Sequence, residues 1–153
     1  MTVPSSPSEL TDHLGYWLRI VSNGVSQAFA TRLSGQGVTA AEWVVLRALH
    51  GRDPMTPSRT ATALGLTRGA VSKLTDRLVE KGLVKRIDDP DDRRAHTLSP
   101  TAEGTALVPI LAALADANDQ AFFGHLNDDD RAALERIIRQ LALDHQLYAA
   151  PLA

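Results

Sequence analysis

The sequence predicts a mainly α-helical chain that carries one small β-hairpin. Three observations predict it. Apolar residues recur in steps of three and four over most of the 153 residues, the period of one helix face. Helix punctuation surrounds those runs, with Thr, Asn or Pro ahead of them and Gly35, Gly51, Gly65 and Gly82 after them. One stretch, residues 83–98, breaks the period, and there two short strand-like runs flank a charged turn containing Pro90.

The elements follow in order. Met1–Ser8 has no apolar pattern and reads as a loose tail. Leu10, Leu14, Trp17, Leu18, Val21, Val25, Phe29 and Leu33 mark one face of a long first helix, ended by Gly35 and Gly37. Thr39-Ala40-Ala41-Glu42 has the form of a capping box, with Val38 and Trp43 at the staple positions. A second helix therefore spans Ala40 to Leu49. Met55-Thr56-Pro57 opens a short third helix to Leu64, because Pro has no N–H to lose in a first turn. Thr67 is the next N-cap, and the fourth helix runs from Arg68 to Lys81 with Val71, Leu74 and Leu78 inward. Leu83–Ile87 and Ala95–Leu98 are the strands, and Asp88–Arg94 is the turn. Pro100-Thr101 begins a fifth helix reaching Phe123, with Leu107, Ile110, Leu111 and Leu114 on one side. Asn127 caps a sixth, whose Asp128-Asp129-Asp130 complements the positive end of the helix dipole. Leu134, Ile137, Ile138, Leu141 and Tyr148 line its apolar face.

Composition bounds the function. The length is about one domain at roughly 100–200 residues each. Apolar residues are 44% of the chain, enough for a core. Cysteine is absent, which excludes disulfides, thiolate metal sites and thiol redox switches. No run approaches the ~18–20 apolar residues of a membrane span. The first ten residues lack the basic and apolar regions of a secretory signal, so a soluble cytoplasmic protein is expected. Net charge is −2, but it is uneven. Residues 52–97 hold ten Lys/Arg against seven Asp/Glu, and residues 99–153 hold three against eight. A basic middle on an acidic chain is the footprint of a nucleic-acid reader, and equally of an ordinary solvated surface.

Helices three and four, joined by Gly65-Leu66-Thr67, have the form of a helix-turn-helix, and the hairpin after them adds a wing. The major groove admits one helix, which reads base edges near its N-terminus. With Val71, Leu74 and Leu78 inward, the outer face of helix four is Arg68, Gly69, Ser72, Lys73 and Asp76, with Arg77 toward its edge. Ser72 and Lys73 can hydrogen-bond bases. Gly69 leaves room for backbone to approach a phosphate, and Arg77 suits a phosphate contact. Each residue taken singly is an ordinary solvated one; the arrangement is what points to DNA.

Residues 56–104, TPSRTATALGLTRGAVSKLTDRLVEKGLVKRIDDPDDRRAHTLSPTAEG, resemble the MarR family of bacterial winged-helix regulators. The family pattern places a G-L-V-x-R strand, a D-P-x-D-R-R wing and an L-S/T…T-x-x-G start of a long helix after the helix-turn-helix. Gly82-Leu83-Val84-Lys85-Arg86, Asp89-Pro90-Asp91-Asp92-Arg93-Arg94, Leu98-Ser99 and Thr101-Ala102-Glu103-Gly104 match it. The Trp43-centred helix also fits, and the similarity extends in order over residues 10–148. Two positions depart: Thr60 stands where the family usually has Leu, and Pro100 lies inside the start of the long helix. The first leaves helix three less apolar and less firmly packed; the second shifts where the long helix begins.

The resemblance implies a homodimer. Residues 10–35 and 100–149 would form dimerisation helices, and residues 38–99 a winged helix-turn-helix module. It implies that Arg94 enters a minor groove, oriented by Asp92, with Arg93 between them. Thr67, Arg68, Gly69, Ser72, Lys73, Asp76, Arg77, Arg86, Asp92, Arg93 and Arg94 are then the candidate DNA contacts. The partner would be double-stranded DNA with a pseudo-palindromic operator. Many relatives also respond to small aromatic or lipophilic acids, and His13, Tyr16, Trp17, Trp43 and Arg47 could line such a cleft. In the alternative, Trp17 and Trp43 are core and His13 and Arg47 ordinary surface.

Nothing points to an enzyme or a cofactor. The five histidines have no H-x-x-x-H or H-E-x-x-H spacing, and no phosphate loop or G-x-S-x-G elbow occurs. The acids at 88–92 and 128–130 each have a structural reason, so no metal site is expected. Two functions stand: a dimeric, effector-modulated regulator acting as a repressor, and an interaction module that kept the fold and lost DNA binding.

Overall fold

The computed structural model describes residue 2 and residues 6–147. Its elements are α1 (Leu14–Leu33), α2 (Ala40–Leu49), α3 (Pro57–Leu64), α4 (Arg68–Glu80), β1 (Val84–Asp89), β2 (Asp92–Pro100), α5 (Ala102–Phe123) and α6 (Asp128–Asp144). The strands form one antiparallel two-stranded sheet. The fold is a mainly helical winged helix, as the sequence predicts. Tyr148, expected on the last helix, and residue 149, the expected end of the dimerisation helices, lie outside the described residues.

The caps explain most boundaries. Thr39, Thr56, Thr67, Thr101 and Asn127 each accept a backbone N–H from the third residue of the helix that follows. Gly65, at φ 65°, closes α3, and Gly82, at φ 74°, follows the cap of α4. Both angles lie in the left-handed region where a side chain is strained.

Three boundaries differ from the sequence reading by more than one residue. The first helix does not start at Leu10: residues Leu10–Asp12 form a 3-10 turn, and His13 is extended before α1. The wing strands are longer than expected, so Asp92, Arg93 and Arg94 stand in β2 and only Pro90-Asp91 make the tip. Register explains this, since pairing continues from Val84–Pro100 through Asp88–His96 before it shifts at Asp89. Helix α3 spans Pro57–Leu64 as the sequence predicts, and Met55 ahead of it exchanges two backbone hydrogen bonds with Leu98, at 3.0 and 2.7 Å. Pro100 ends β2, so α5 begins only at Ala102 behind the Thr101 cap.

The core sits where α1, α2, α4, β2 and α5 meet. Phe29 and Leu33, Val45, Leu46 and Leu49, Leu74 and Leu78, Leu98, and Val108 and Leu111 form it. On α5, Val108 and Leu111 are buried, while Ile110, grouped with Leu111 on one apolar side in the sequence, is exposed. Thr60 is fully buried, and its hydroxyl donates to the Thr56 carbonyl at 3.0 Å, so the polar residue is satisfied within α3.

Outside that core the apolar faces lie open. Leu14, Trp17, Leu18 and Val21 of α1 are exposed. Helix α6 has no buried residue at all, and Leu134, Ile137, Ile138 and Leu141 are all exposed. Among the described residues no helix is long and apolar enough to cross a membrane.

Candidate nucleic-acid interface

Helix α4 presents its inner face as the sequence predicts: Val71, Leu74 and Leu78 are buried, and Thr75 joins them. Helices α2 and α3 pack against that face. Thr67, Arg68, Gly69, Ser72, Lys73, Asp76 and Arg77 are all exposed on the other side. Arg86 on β1 and Asp92, Arg93 and Arg94 on β2 are exposed as well.

The structure brings several of these together. A concave pocket of about 420 Å³ lies between the start of α3, the flank of α4 and the wing. Arg68, Ser72, Arg86 and Arg94 line it, with Ser58 and His96, which the sequence reading did not single out. Three guanidinium groups surround the hollow, that of Arg86 being paired with Asp76. The Thr75 hydroxyl, also at its wall, is buried with no hydrogen-bond partner among the described residues. Lys73, Arg77, Asp92 and Arg93 are not among the lining residues.

Side-chain pairs fix the geometry. The Arg68 guanidinium donates to the Ser58 hydroxyl, which joins the start of α4 to α3. The Arg86 guanidinium pairs with Asp76, which joins α4 to β1. Asp76 and Arg86, both candidate DNA contacts in the sequence, are thus engaged with each other. The Asp92 carboxylate accepts the backbone N–H of Arg94 at 2.9 Å, so its contact with that residue runs through the main chain.

The aromatic candidates fall differently. Tyr16 and Trp17 meet edge-on at 5.7 Å near the start of α1, and the Trp17 indole donates to the Thr11 carbonyl at 3.0 Å. Trp17 is about half exposed and is not core in the single chain. Trp43 is partly buried against the core, whereas Arg47 and His13 are exposed.

One residue of structural consequence was missed. Glu42 read as the acid of a capping box, yet its carboxylate turns inward to Lys81 at 2.6 Å. The signal was present: Glu42 precedes Val45, Leu46 and Leu49 by three, four and seven residues, which puts it on the buried face of α2.

A sequence model described as "MarR family" matches residues 36–95, which span α2, α3, α4 and the wing tip. The HTH-type transcriptional regulator PrsX of Escherichia coli is 30% identical over 111 residues, covering 71% of this chain and 67% of that protein. The chain belongs to the MarR family. Solved MarR-family structures agree in shape. The Bordetella bronchiseptica BpsR structure, which concerns regulation of its DNA binding by 6-hydroxynicotinic acid, superposes with a TM-score of 0.81 at 27% identity. It covers 90% of this chain and 98% of BpsR. A mutant of E. coli MarR complexed with operator DNA gives a TM-score of 0.76 at 28% identity, over 84% of this chain and 92% of that one. MarR-family proteins are transcription regulators, and this chain is one of them.

Proposed function

We propose that the protein is a homodimeric, sequence-specific DNA-binding repressor whose hold on its operator is adjusted by a small aromatic or lipophilic acid. The observation that carries the DNA reading is the exposed, cationic outer side of α4 continued onto the wing by Arg86 and Arg94. Arg68, Ser72 and Lys73 lie in the first two turns of α4, the part of such a helix that reaches base edges. Thr67 and Gly69 sit at its N-terminus, where backbone N–H groups favour a phosphate. Arg77 and Arg93 suit phosphates, and Arg94 suits the minor groove. The similarity to a MarR structure solved with operator DNA supports this reading.

Dimerisation is supported by the uncovered apolar faces of α1 and α6. In this reading residues 10–35 and 100–149 pair between two copies, and residues 38–99 form the DNA module. Exposed apolar helix faces of this kind mark an interaction site. In this reading the operator overlaps a promoter, where a seated dimer would repress by blocking polymerase. The effector is supported by the half-exposed Tyr16–Trp17 pair, by Trp43, and by Arg47 and His13 as partners for a carboxylate. BpsR, whose DNA binding is regulated by 6-hydroxynicotinic acid, is a similar case.

The test is a gel shift with DNA upstream of the chain's own gene, at two salt concentrations, with and without aromatic acids. Salt-sensitive retardation of that DNA over an unrelated duplex is expected, with release by some of the acids. No retardation of either duplex by the folded protein would favour an interaction module instead.

A further inference from the structure

Among the described residues Glu42 is the one charged side chain that is buried, at 1% exposure. Its Oε2 accepts from Lys81 Nζ at 2.6 Å, and its Oε1 accepts from the Thr39 hydroxyl at 3.1 Å. Lys81 caps the C-terminus of α4. Immediately after it, the Gly82 carbonyl accepts from the Thr101 hydroxyl at 2.6 Å, and the Leu83 carbonyl accepts from the Thr101 N–H at 3.0 Å. Three successive residues thus pin the end of α4, once to α2 and twice to the start of α5.

Only the Glu42 side of this pair is buried, Lys81 being over a third exposed, so solvent screening and the desolvation of Glu42 leave it a poor source of stability. What it supplies is one defined geometry. That geometry has leverage here. The 13 residues of α4 make a rod of about 20 Å, with Lys81 at one end and Arg68, Gly69 and Ser72 at the other. A tilt of about 5° at the pinned end moves the far end by about 2 Å, well beyond the ~0.5 Å tolerance of a working contact set.

We propose that Glu42 is a positioning residue for DNA reading: acting through Lys81, it sets the pitch of α4 and so the half-site separation that the dimer prefers. This rests on the dimeric DNA-binding reading above.

The experiment uses a paired half-site duplex selected from a random pool by the wild-type protein, with derivatives whose half-sites are moved by one and two base pairs. Glu42→Gln, Lys81→Met, their double variant and Lys81→Arg are compared, each after its active fraction and thermal midpoint are measured. Lys81 is over a third exposed, so its variants keep a folded reference if Glu42→Gln does not. Expected is a loss of about tenfold on the selected duplex for Lys81→Met and Glu42→Gln, with no larger loss in the double variant. The loss should shrink on a moved spacing, and Lys81→Arg should bind as wild type. A merely structural pair would lower the thermal midpoint and the active fraction while leaving the affinity of active molecules and the preferred spacing unchanged. That result, or losses that simply add, overturns the proposal. Failure of the wild-type protein to select any paired site overturns the DNA-binding reading, and this inference with it.

Discussion

The Asp76 carboxylate pairs with the Arg86 guanidinium, so the outer face of α4 and the first wing strand are joined by two exposed side chains. An exposed pair of this kind contributes little to stability, about 0–1 kcal/mol. In the DNA-binding reading its effect lies in charge, since Asp76 engages a cation that a phosphate could otherwise take.

Asp76→Ala should therefore leave the unfolding free energy within about 1 kcal/mol of wild type. Non-specific DNA binding should tighten, and its dependence on log salt should steepen by about one per half-site as Arg86 takes a phosphate. Anisotropy titrations over a salt series read both. Weaker non-specific binding would mean that Asp76 acts by holding Arg86 in place.

Light scattering at micromolar concentration should return twice the chain mass. Val21→Glu in α1 or Ile137→Glu in α6 places a charge on an apolar face that the single chain leaves open. Either should shift the protein toward monomer without unfolding it. A wild-type monomer would remove the dimer from the proposal.

Lys73→Ala, Arg77→Ala and Arg94→Ala should weaken DNA binding by separate routes. Loss of Lys73 should cost about 1–3 kcal/mol and relax preference at particular base pairs. Loss of Arg77 should weaken all sequences alike and lower the salt slope by about one per half-site. Loss of Arg94 should penalise A·T-rich flanks most. A matrix of operator variants against salt separates the three, and one uniform loss for all would contradict the assignment.

Two glycines should behave oppositely. A Cβ on Gly69 meets nothing nearer than the Thr67 hydroxyl at 4.0 Å, so Gly69→Ala should fold and gain about 0.5–1 kcal/mol in the helix. Its operator affinity should nevertheless fall, because the methyl group stands where backbone would approach a phosphate. A Cβ on Gly104 would stand 2.1 Å from the Leu83 carbonyl oxygen, which is backbone. Gly104→Ala should lose about 1–3 kcal/mol in denaturant unfolding. Unchanged operator affinity in Gly69→Ala would dissociate that residue from the phosphate.

What the sequence determined by itself is local. Caps, glycine stops and the 3.6-residue period depend on residues within a few positions of one another. That is why Thr39, Thr56, Thr67 and Asn127 mark helix starts correctly and why the outer side of α4 was readable. The turn chemistry of Asp88–Arg94 marked a hairpin, but its strand ends depend on pairing with a distant partner, so the wing came out longer. Tertiary structure alone decided the rest. Ile110 and Val108 share a helix, and only the position of the core tells which is covered. Glu42 satisfies a capping pattern in sequence, yet across 39 residues Lys81 offers its carboxylate a full charge that the Thr39 N–H cannot match. The same holds for Asp76 with Arg86 and for Arg68 with Ser58. Charge and hydrogen-bond partners are chosen by distance in space, and that distance exists only once the helices have packed.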